Sequence, residues 1–474
     1  MRTFLLSLLL VVSLAVHGQR REVHIVSVND MHAAIEKMPA LTAIIDSLRT
    51  LYPSLLVFSA GDNRTGTPLS DMYEIPGYPM VSLMNLAGFN GSALGNHEFD
   101  VHSLPTLIGY SNFRYICANI QADDTTGVRT VPYQLFDVEG MTVGVVGAVQ
   151  INYQGRPDTH PDNLLGMRFE EPAKAVARYE WLSRQCDATI LLSHVGYKGE
   201  VQMAEAFPWL DLIIGGHTHT QLTADEPLHN GVLITQNRHN LRKATHITLT
   251  IEGRRVIDKK AEYIDVENYG TQNKVAAEMV RYFTNNPAFR RVLTQCDTPF
   301  GSRREVGCMA CDALIAEGQA DVALFNYRGI RIRHHDVGDF TVGDVLAMDP
   351  FGNEAVELTL TGDELFQVIE QYSRGDMQHF PHIGGLRAEL TVDKKDPSKI
   401  KKIKLLAADG GIFDTKKTYR IITNSYVAAF FRETLDKEDI HTKNMQTSDM
   451  IMRYLDKQPS ISYHNVSRIS IIQQ

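Results

Sequence analysis

The sequence predicts an α/β fold in two layered domains, and three observations lead to that prediction. Over residues 23–251, short β-branched runs alternate with amphipathic stretches, a pattern that favours layers of strands and helices over an all-β sandwich. A more polar, helix-favouring stretch follows over residues 258–304. The length of 474 residues suits about three average domains or two large ones. We therefore expect two domains joined by a helical connector.

The first domain contains five runs that predict buried strands, because each is short and rich in β-branched or aliphatic residues. They are HIVSV (24–28), LLVF (55–58), TVGVVG (142–147), ATILL (188–192) and DLIIG (211–215). A sixth, shorter strand is expected at GSAL (91–94). Helices are predicted over 39–51 and 172–185, where a proline near the start suits the first helical turn.

The N-terminus carries a 13-residue apolar run over 4–16, preceded by Arg2. A membrane-spanning helix needs about 20 residues, so this run predicts a secretory signal over 1–18 that is cleaved near Gly18. A buried N-terminal helix is the alternative. We expect an exported protein, periplasmic or extracellular, with no integral membrane association. The remaining boundaries are predicted as a first domain over 22–262, a helical linker over 263–298 and a second domain over 299–474.

Composition excludes one class of partner. The chain has 47 Lys and Arg against 56 Asp and Glu, a net charge of −9, whereas a nucleic-acid binder needs a basic face. The apolar fraction of 43% and the charged fraction of 22% are typical of a globular protein with a substantial core. Cys308 and Cys311 form a C-x-x-C pair, which is read either as a redox pair or as two buried small residues on one helix face.

Five polar motifs directly follow predicted strands, where α/β folds place their sites. They are NDMH (29–32), GDNRTG (61–66), GNHEFD (95–100), LSHVG (192–196) and GGHTH (215–219). Together they offer four imidazoles, two carboxylates and one amide: His32, His194, His217, His219, Asp30, Asp62 and Asn96. This donor set suits zinc, manganese, iron or cobalt rather than calcium or magnesium. No cysteine joins it, so structural zinc is not expected.

These motifs, in this order, resemble those of the metallophosphoesterase superfamily, and with the C-terminal half they resemble the 5′-nucleotidase/UDP-sugar hydrolase family. The resemblance implies a layered β-sandwich flanked by helices, followed by a mixed α/β substrate-specificity domain. It also implies two divalent metal ions, with zinc and manganese as the leading candidates. One ion would be held by Asp30, His32, Asp62 and His219. The other would be held by Asp62, Asn96, His194 and His217, so that Asp62 bridges the pair.

His97 and Asp100 are the predicted catalytic residues. In the family this His–Asp pair assists phosphate transfer, and the spacing of three residues allows Asp100 to orient the ring. A protonated His97 could stabilise charge on the phosphoryl group or protonate the leaving alkoxide. The alternative is a structural turn around Glu98 and Asp100.

The second domain carries further family-like segments. NYRGIR (326–331) resembles the family's N-G-G-G-I-R, DPFGN (349–353) matches its P-F-G-N loop, and HFPHIGGLR (379–387) resembles the adjoining strand. The resemblance implies substrate contacts from Asn326, Arg331, Phe351 and Tyr426. Phe351 is predicted to stack on a nucleobase, with core packing as the alternative. Arg331 suits phosphate or ribose oxygens, with a surface salt bridge as the alternative.

Two departures from the family pattern fall in this second domain. Tyr327 and Arg328 replace two glycines, which adds bulk and charge. The family's G-G-D-G segment is absent, and the corresponding stretch is NSYVAAFFRE (424–433). The chemistry therefore looks intact, whereas substrate selection looks altered.

The resulting functional prediction is an exported dinuclear-metal phosphohydrolase, a 5′-nucleotidase that releases phosphate from nucleoside monophosphates. Alternatives in the same class are a UDP-sugar hydrolase and a 2′,3′-cyclic nucleotide hydrolase. A non-catalytic nucleotide-binding protein is the alternative from another class, but such a protein would be expected to have lost a ligand or the His–Asp pair. The expected partner is a small nucleotide or phosphate ester.

Overall fold

The computed structural model describes residues 20–285, 287–435 and 441–474. The predicted signal sequence lies outside these residues. Contacts divide the described chain into two compact units. Unit 1 comprises the described residues up to Thr65, Ile75–Asp158 and Asn163–Phe283, and unit 2 comprises Gly66–Glu74, Thr159–Asp162 and Thr284–Gln474. Both units mix sheets with helices, which confirms the predicted α/β class.

Unit 1 is built on two large sheets and a small one. Its strands are β1 Arg21–Val28, β2 Leu56–Ser59, β3 Gly91–Ala93, β4 Arg114–Ile116, β5 Ile120–Ala122, β6 Tyr133–Val138, β7 Met141–Val149, β8 Met167–Phe169, β9 Ala188–His194, β10 Leu212–Ile214, β11 Leu233–Thr235, β12 Lys243–Glu252 and β13 Arg255–Asp265. One sheet has the order β13-β12-β1-β2-β3-β4 and the other β11-β10-β9-β7-β6. The strands β5 and β8 pair separately.

The two large sheets bury their facing side chains in one core. Ile25 and Phe58 of the first sheet belong to the same buried cluster as Val143 and Ile190 of the second. The helices that accompany the sheets are α1 Met38–Leu51, α3 Tyr78–Ala87, α4 Leu104–Tyr110, α5 Pro172–Ala177, α6 Leu182–Gln185, α7 Tyr197–Ala206 and α8 Lys274–Thr284. A second apolar cluster forms under α5, α6 and α7. The result is a β-sandwich flanked by helices, as predicted.

All six predicted strands of the first domain are present, including the short one at Gly91–Ala93. The predicted helix over 172–185 is wrong in one respect, because it is interrupted between α5 and α6. Tyr179 and Trp181 both pack against Tyr133, with ring centroids 5.5 and 5.2 Å away. Residues two apart in an α-helix do not face the same side, so the chain unwinds here to let both rings reach Tyr133.

Unit 2 contains three sheets of mixed direction. Its strands are β14 Val292–Cys296, β15 Val322–Phe325, β16 Gly338–Thr341, β17 Glu354–Thr361, β18 His382–Gly384, β19 Leu386–Val392, β20 Ile400–Ala407, β21 Thr418–Asn424, β22 His441–Gln446, β23 Ser460–Ile461 and β24 Ile469–Gln473. The sheet orders are β16-β14-β23, β18-β15-β21-β17-β22 and β20-β19-β24. Its helices are α2 Pro68–Asp71, α9 Arg303–Gly318, α10 Val342–Met348, α11 Gly362–Ser373, α12 Ser425–Leu435 and α13 Thr447–Leu455.

The predicted linker over 263–298 contains helix α8 and strand β14. Its boundaries, and those of the two predicted domains, remain predictions. Within the described part of the chain, no helix has the length and apolarity needed to cross a bilayer. Cys308 and Cys311 are buried, unpaired residues of α9, and burial raises the pKa of both thiols.

Candidate metal centre

The five polar motifs of unit 1 all lie where a strand ends. Asp30 and His32 follow β1, Asp62 follows β2, and Asn96 follows β3. These three strands are parallel neighbours in one sheet, so their carboxyl ends meet at one edge. In the other sheet His194 ends β9, and the His217 and His219 loop follows its parallel neighbour β10.

Five of the predicted ligands sit on a backbone that side chains rarely adopt. The φ angles of Asp30, His32, Asp62, His217 and His219 are 49°, 46°, 52°, 75° and 56°. A left-handed conformation costs energy in any residue other than glycine, and it persists only where the surrounding structure enforces it. Such strain is typical of sites that must hold side chains in fixed directions.

Two glycines explain how closely the loops approach. A Cβ atom on Gly61 would lie 2.6 Å from the backbone nitrogen of Gly95. A Cβ atom on Gly95 would lie 2.1 Å from Oδ1 of Asp62. Neither position can carry a larger residue without moving the Asp62 loop, which accounts for the glycines that open the GDNRTG and GNHEFD motifs.

Asp30, His32 and His219 form the first cluster of candidate ligands. The Nε2 atom of His219 lies 3.3 Å from Oδ1 of Asp30 and 3.1 Å from Nε2 of His32. The Nδ1 atom of His32 donates a hydrogen bond of 2.9 Å to the carbonyl of Thr65. That bond directs Nε2 of His32 toward the cluster, which is how proteins orient metal-binding histidines.

Asp62, His194 and His217 form the second cluster, and Asn96 joins it. Nε2 of His194 lies 3.1 Å from Oδ2 of Asp62, and Nδ1 of His217 lies 3.1 Å from Oδ1 of Asn96. The amide nitrogen of Asn96 donates to the carbonyl of Asp158 at 3.1 Å, which leaves its oxygen directed at the cluster. The structure thus brings all seven predicted ligands together in two adjacent groups.

The donor set fits a cation, and His194 gives the clearest test. Its Nδ1 donates to the carbonyl of Ala60 at 2.7 Å, so a neutral ring presents a lone pair at Nε2. That Nε2 is buried, faces the carboxylate of Asp62 and forms no hydrogen bond. A buried lone pair facing a carboxylate is unfavourable unless a positive charge lies between them, and a divalent ion supplies that charge.

The pKa values reflect a strongly coupled buried charge set. Burial alone would raise the pKa of Asp62, but the neighbouring His194 and His97 outweigh it and hold that pKa well below its ordinary value. Burial would lower the pKa of His194, but Asp62 and Asp30 raise it to about 10. Burial and the charge of His194 lower the pKa of His217 to about 4. The carboxylate of Asp62 is therefore ionised and His217 is neutral, as ligands must be, and a bound cation would take the place of the proton that the raised pKa puts on Nε2 of His194.

His97 and Asp100 form the predicted pair. Nδ1 of His97 donates to Oδ2 of Asp100 at 2.6 Å, and its Nε2 lies 4.0 Å from Oδ2 of Asp62. The backbone nitrogen of His97 donates to Oδ1 of Asp62 at 2.9 Å, which ties the imidazole to the ligand loop. The side chain of His97 is 14% exposed, against 2% for Asp62, so it borders the centre on the side open to solvent.

Glu98 is a positioning residue that the sequence reasoning assigned only to a structural turn. Its buried carboxylate accepts hydrogen bonds from the backbone nitrogens of Asp62, Asn63 and Gly95 at 2.9, 2.8 and 2.6 Å. Burial, with the charge of Asp62, raises its pKa. One side chain therefore joins the second and third motif loops.

Further supporting residues were also missed. Asn29 donates to Oδ2 of Asp30 at 2.7 Å and to the carbonyl of Asn237 at 2.7 Å. Glu200, fully buried, accepts from the backbone of Gly216 at 3.1 Å. Burial raises the pKa of Glu200 to about 8. Asn29 adjoins a predicted ligand, which is a signal that could have been used, whereas Glu200 gives no local signal.

His239 is a further imidazole beside the first cluster, next to His219 and His32. Its ring centroid lies 4.7 Å from that of His219 and 6.3 Å from that of His32. The backbone nitrogen of the following residue, Asn240, donates to the carbonyl of Asp30 at 2.8 Å, which holds this loop against the first motif. His239 lies outside all five motifs, so no sequence pattern identified it as part of the site.

The predicted substrate residues lie in unit 2. Oδ1 of Asn326 accepts a hydrogen bond of 2.8 Å from Nδ2 of Asn424, and Oδ1 of Asn424 in turn accepts from the backbone of Val427 at the start of α12. The guanidinium carbon of Arg331 lies 5.9 Å from the ring centroid of Phe351. Both side chains are half-buried, so the structure does not place Phe351 in the core.

Tyr426 occupies the first turn of α12, in the stretch that replaces the family's glycine-rich turn. It is half-buried and packs against the apolar cluster that includes Val427 and Phe431. The structure therefore brings Arg331 together with Phe351, whereas Tyr426 is associated with the packing of α12.

Two family models match the chain. Residues 23–221 match the calcineurin-like phosphoesterase family, and residues 281–431 match the 5′-nucleotidase C-terminal domain. The first covers all five motifs, and the second covers the predicted substrate residues.

The chain is similar in sequence to nucleotide-hydrolysing proteins by name, and in fold to a solved structure. It is 27% identical over 406 residues to a 5′-nucleotidase of Vibrio cholerae, covering 70% of this chain and 71% of that protein. It is 24% identical over 468 residues to the trifunctional nucleotide phosphoesterase protein YfkN of Bacillus subtilis, covering 85% of this chain but only 31% of that longer protein. The fold matches the crystal structure of a 5′-nucleotidase precursor from Thermus thermophilus with a TM-score of 0.82 and 21% identity, over 95% of this chain and 99% of that chain.

Proposed function

Since the chain belongs to the 5′-nucleotidase family of metal-dependent phosphoesterases, we propose that it is an exported hydrolase that uses two divalent ions to release phosphate from nucleoside monophosphates or related esters. The proposal rests above all on the seven candidate ligands of unit 1, which form two adjacent groups around Asp62. Each of the seven side chains carries a carboxylate, imidazole or amide group that can bind a metal ion.

The proposed ligand sets share one carboxylate. Asp30, His32, Asp62 and His219 would hold one ion, and Asp62, Asn96, His194 and His217 would hold the other. Two bound ions supply Lewis-acid polarisation of the phosphoryl oxygens and a more acidic water at neutral pH. We propose zinc or manganese, because imidazole, carboxylate and amide donors suit borderline divalent metals.

His97 is proposed to act on the phosphoryl group or the leaving oxygen. Its Nδ1 is committed to Asp100 at 2.6 Å, so the proton that it can donate or hold is at Nε2. A positive imidazole beside the ester would stabilise the charge that develops on the phosphoryl oxygens and could protonate the departing alkoxide. Asp100 fixes the tautomer and the ring orientation.

Unit 2 is proposed to select the substrate. Phe351 offers an aromatic face beside Arg331, a combination that suits a base ring next to phosphate or ribose oxygens. Asn326 and Tyr426 are proposed as further contacts. Export is proposed on the apolar run over 4–16, and the domain limits at 22–262 and 299–474 are proposed with it.

A substrate panel tests the proposal. Purified protein loaded with zinc or manganese is incubated with AMP, UMP and 4-nitrophenyl phosphate, and inorganic phosphate is measured. We expect turnover of all three and faster turnover of the nucleotides. Absence of turnover on all three, with two metal equivalents bound per chain, would contradict the proposal.

UDP-sugars and 2′,3′-cyclic nucleotides form the second candidate substrate class, because the departures at Tyr327, Arg328 and 424–433 lie in the proposed specificity unit. Both compounds belong in the same panel. A kcat/KM for either that exceeds the value for AMP would favour this second candidate. Tight binding of AMP without hydrolysis would instead favour a non-catalytic binding protein.

A further inference from the structure

His219 is a candidate ligand whose ring is not oriented by a hydrogen bond. Nδ1 of His32 donates to the carbonyl of Thr65 at 2.9 Å. Nδ1 of His194 donates to the carbonyl of Ala60 at 2.7 Å. Among the residues that the structure describes, none forms a hydrogen bond with Nδ1 of His219, and this side chain is 30% exposed. Because metal-binding histidines are normally oriented through their second nitrogen, the ring of His219 needs another support.

The ring of His239 packs against that of His219. The two centroids are 4.7 Å apart, and the ring planes are inclined at 55°. The ring of His32 completes the group, because it meets that of His219 edge-on at 5.2 Å and that of His239 at 6.3 Å. A ring packed against two others cannot turn freely about its side-chain bonds, so these contacts hold Nε2 of His219 3.3 Å from Oδ1 of Asp30.

The loop that carries His239 is itself fixed to the first motif. The backbone nitrogen of Asn237 donates to Oδ1 of Asn29 at 2.7 Å, and Nδ2 of Asn29 donates to the carbonyl of Asn237 at 2.7 Å. The backbone nitrogen of Asn240 donates to the carbonyl of Asp30 at 2.8 Å. These bonds lie on both sides of His239 in the chain, so its ring is held in a fixed position relative to the motif that carries Asp30.

His239 does not join the ligand group itself. The ligand atoms of Asp30, His32 and His219 lie within 4.8 Å of one another, and over the described ranges 20–285, 287–435 and 441–474 no atom of His239 extends that group. A nitrogen outside this distance cannot complete the same coordination shell. Any effect of His239 on the centre therefore passes through the ring of His219.

We propose that His239 is a positioning residue of the candidate metal centre, whose ring holds the imidazole of His219 in the orientation that binds one of the two ions. It has for His219 the role that backbone carbonyls have for His32 and His194. The inference rests on the proposed dinuclear function and deepens it, because it adds a residue outside the seven candidate ligands. It also accounts for a loop over 237–240 that is bonded to the first motif without supplying a ligand.

Two variants of His239 test the proposal. His239→Ala removes the ring, whereas His239→Phe keeps an aromatic ring and removes both nitrogens. Zinc affinity is measured by competition with a chelator, and zinc is counted per chain by elemental analysis. Loss of an orienting neighbour lowers metal affinity by about 10–100-fold in comparable sites. We expect a loss of this size for one of the two ions in His239→Ala, with the other ion retained, and native affinity in His239→Phe.

Manganese-loaded protein gives a spectroscopic readout. Two Mn²⁺ ions that share the carboxylate of Asp62 are magnetically coupled, whereas a single Mn²⁺ ion is not, so the two states differ in electron paramagnetic resonance. At the manganese concentration that saturates native protein, we expect the coupled spectrum for native protein and His239→Phe. We expect the spectrum of an isolated ion for His239→Ala. A general loss of packing would leave the coupled spectrum in place.

The control variant is His229→Ala, a half-buried histidine of unit 1 outside the metal centre. It should bind both ions with native affinity. An equal loss of affinity in His229→Ala would overturn the proposal, because the effect would then not depend on the contact with His219. So would an equal loss in His239→Ala and His239→Phe, because the ring would then not be what holds His219.

Metal binding separates this inference from the proposed function, since neither measurement needs turnover. If native protein binds two ions and hydrolyses no ester, but His239→Ala loses one ion, the proposed function fails and the positioning role stands. If His239→Ala binds both ions as tightly as native protein, the positioning role fails whatever the turnover.

Discussion

The motif loops of unit 1 and the proposed substrate loops of unit 2 are held in place by different means. In unit 1 the backbone itself is constrained, with left-handed residues such as Asp62 and a carboxylate, Glu98, that binds backbone nitrogens of two loops. In unit 2 the side chains of Phe351 and Arg331 are half-buried, and the guanidinium carbon of Arg331 lies 5.9 Å from the ring centroid of Phe351.

This difference indicates which properties of the protein can change independently. A substitution among the motif loops of unit 1 disturbs several hydrogen bonds and the candidate ligands at once. A substitution in the half-buried loops of unit 2 alters a contact surface while the strands beneath keep their pairing. We therefore expect metal content and kcat to depend on unit 1, and KM and substrate preference to depend on unit 2.

The largest effect is expected for Asp62→Ala. Removal of the shared carboxylate should empty both metal positions and lower kcat by roughly 10⁴-fold, a loss comparable with removal of a principal catalytic group. Metal content is measured by elemental analysis after dialysis, and turnover with 4-nitrophenyl phosphate. Retention of two metal equivalents per chain would contradict the proposed bridging role.

His97→Ala should separate chemistry from metal binding. The imidazole is held by Asp100 and is proposed to act on the phosphoryl group, so kcat should fall by about 10²–10⁴-fold while both metals remain bound. His102→Ala, an exposed histidine five residues along the chain, is the matched control and should leave kcat unchanged. A fall in metal content equal to that of Asp62→Ala would remove the distinction between the two roles.

Glu98→Gln tests whether the unit 1 backbone is held from a distance. The amide keeps the size of the side chain, but its NH₂ group would face one of the backbone nitrogens that Glu98 now binds. Loss of such support lowers metal affinity by about 10–100-fold in comparable sites. Metal affinity is measured by competition with a chelator, with saturating metal expected to restore most of kcat. Unchanged affinity would show that the loop conformation does not depend on this carboxylate.

The metal-binding motifs of unit 1 could be predicted because their signal is local. Each motif directly follows an apolar run, so the identification of strands at 24–28, 55–58 and 188–192 also located the candidate ligands. The role of Glu98 could not be predicted, because its partner Asp62 is 36 residues earlier in the chain. His239 was missed because only the fold brings it to His219.

Contacts in unit 2 could not be predicted from the sequence for the same physical reason. Arg304 and Tyr327 lie in separate segments, and nothing in either segment indicates that the guanidinium carbon of Arg304 lies 4.4 Å from the ring centroid of Tyr327. The departures from the family pattern at Tyr327 and Arg328 were visible in the sequence. The surroundings of Tyr327 are apparent only with coordinates, because they depend on Arg304 of α9 and on its hydrogen bonds to the loop at 377–382.

Phe351→Ala tests whether unit 2 contributes to substrate binding through this ring. If the ring stacks on a base, the variant should raise KM for AMP by about 2–10-fold, the equivalent of one aromatic contact, with kcat and metal content unchanged. KM for 4-nitrophenyl phosphate, which carries no nucleobase, should change less. Equal changes for both substrates would indicate a packing role for Phe351 and would weaken the assignment of specificity to this loop.

The smallest effect on turnover is expected for Asp349→Asn, which tests how the same loop is anchored. Asp349 is 2% exposed, and burial raises the pKa of its carboxyl to about 7, although Thr447 donates a hydrogen bond to it. Between about pH 4 and 7 the folded protein therefore keeps a proton that the unfolded chain releases. Its contribution to stability is present at the acid end of this range and is lost as pH rises through about 7.

The amide of Asp349→Asn cannot titrate, so the variant should show a flatter dependence of the thermal midpoint on pH from about 4 to 7, measured by scanning calorimetry. The flattening should be partial, because Glu200 in unit 1, whose pKa is raised to about 8 by burial, gives a trend of the same sign. Glu200→Gln is therefore the matched variant for unit 1. If each variant removes part of the pH dependence of the thermal midpoint, one buried acid contributes to that dependence in each unit. An unchanged slope in Asp349→Asn would mean that the loop carrying Phe351 is not anchored through this carboxyl.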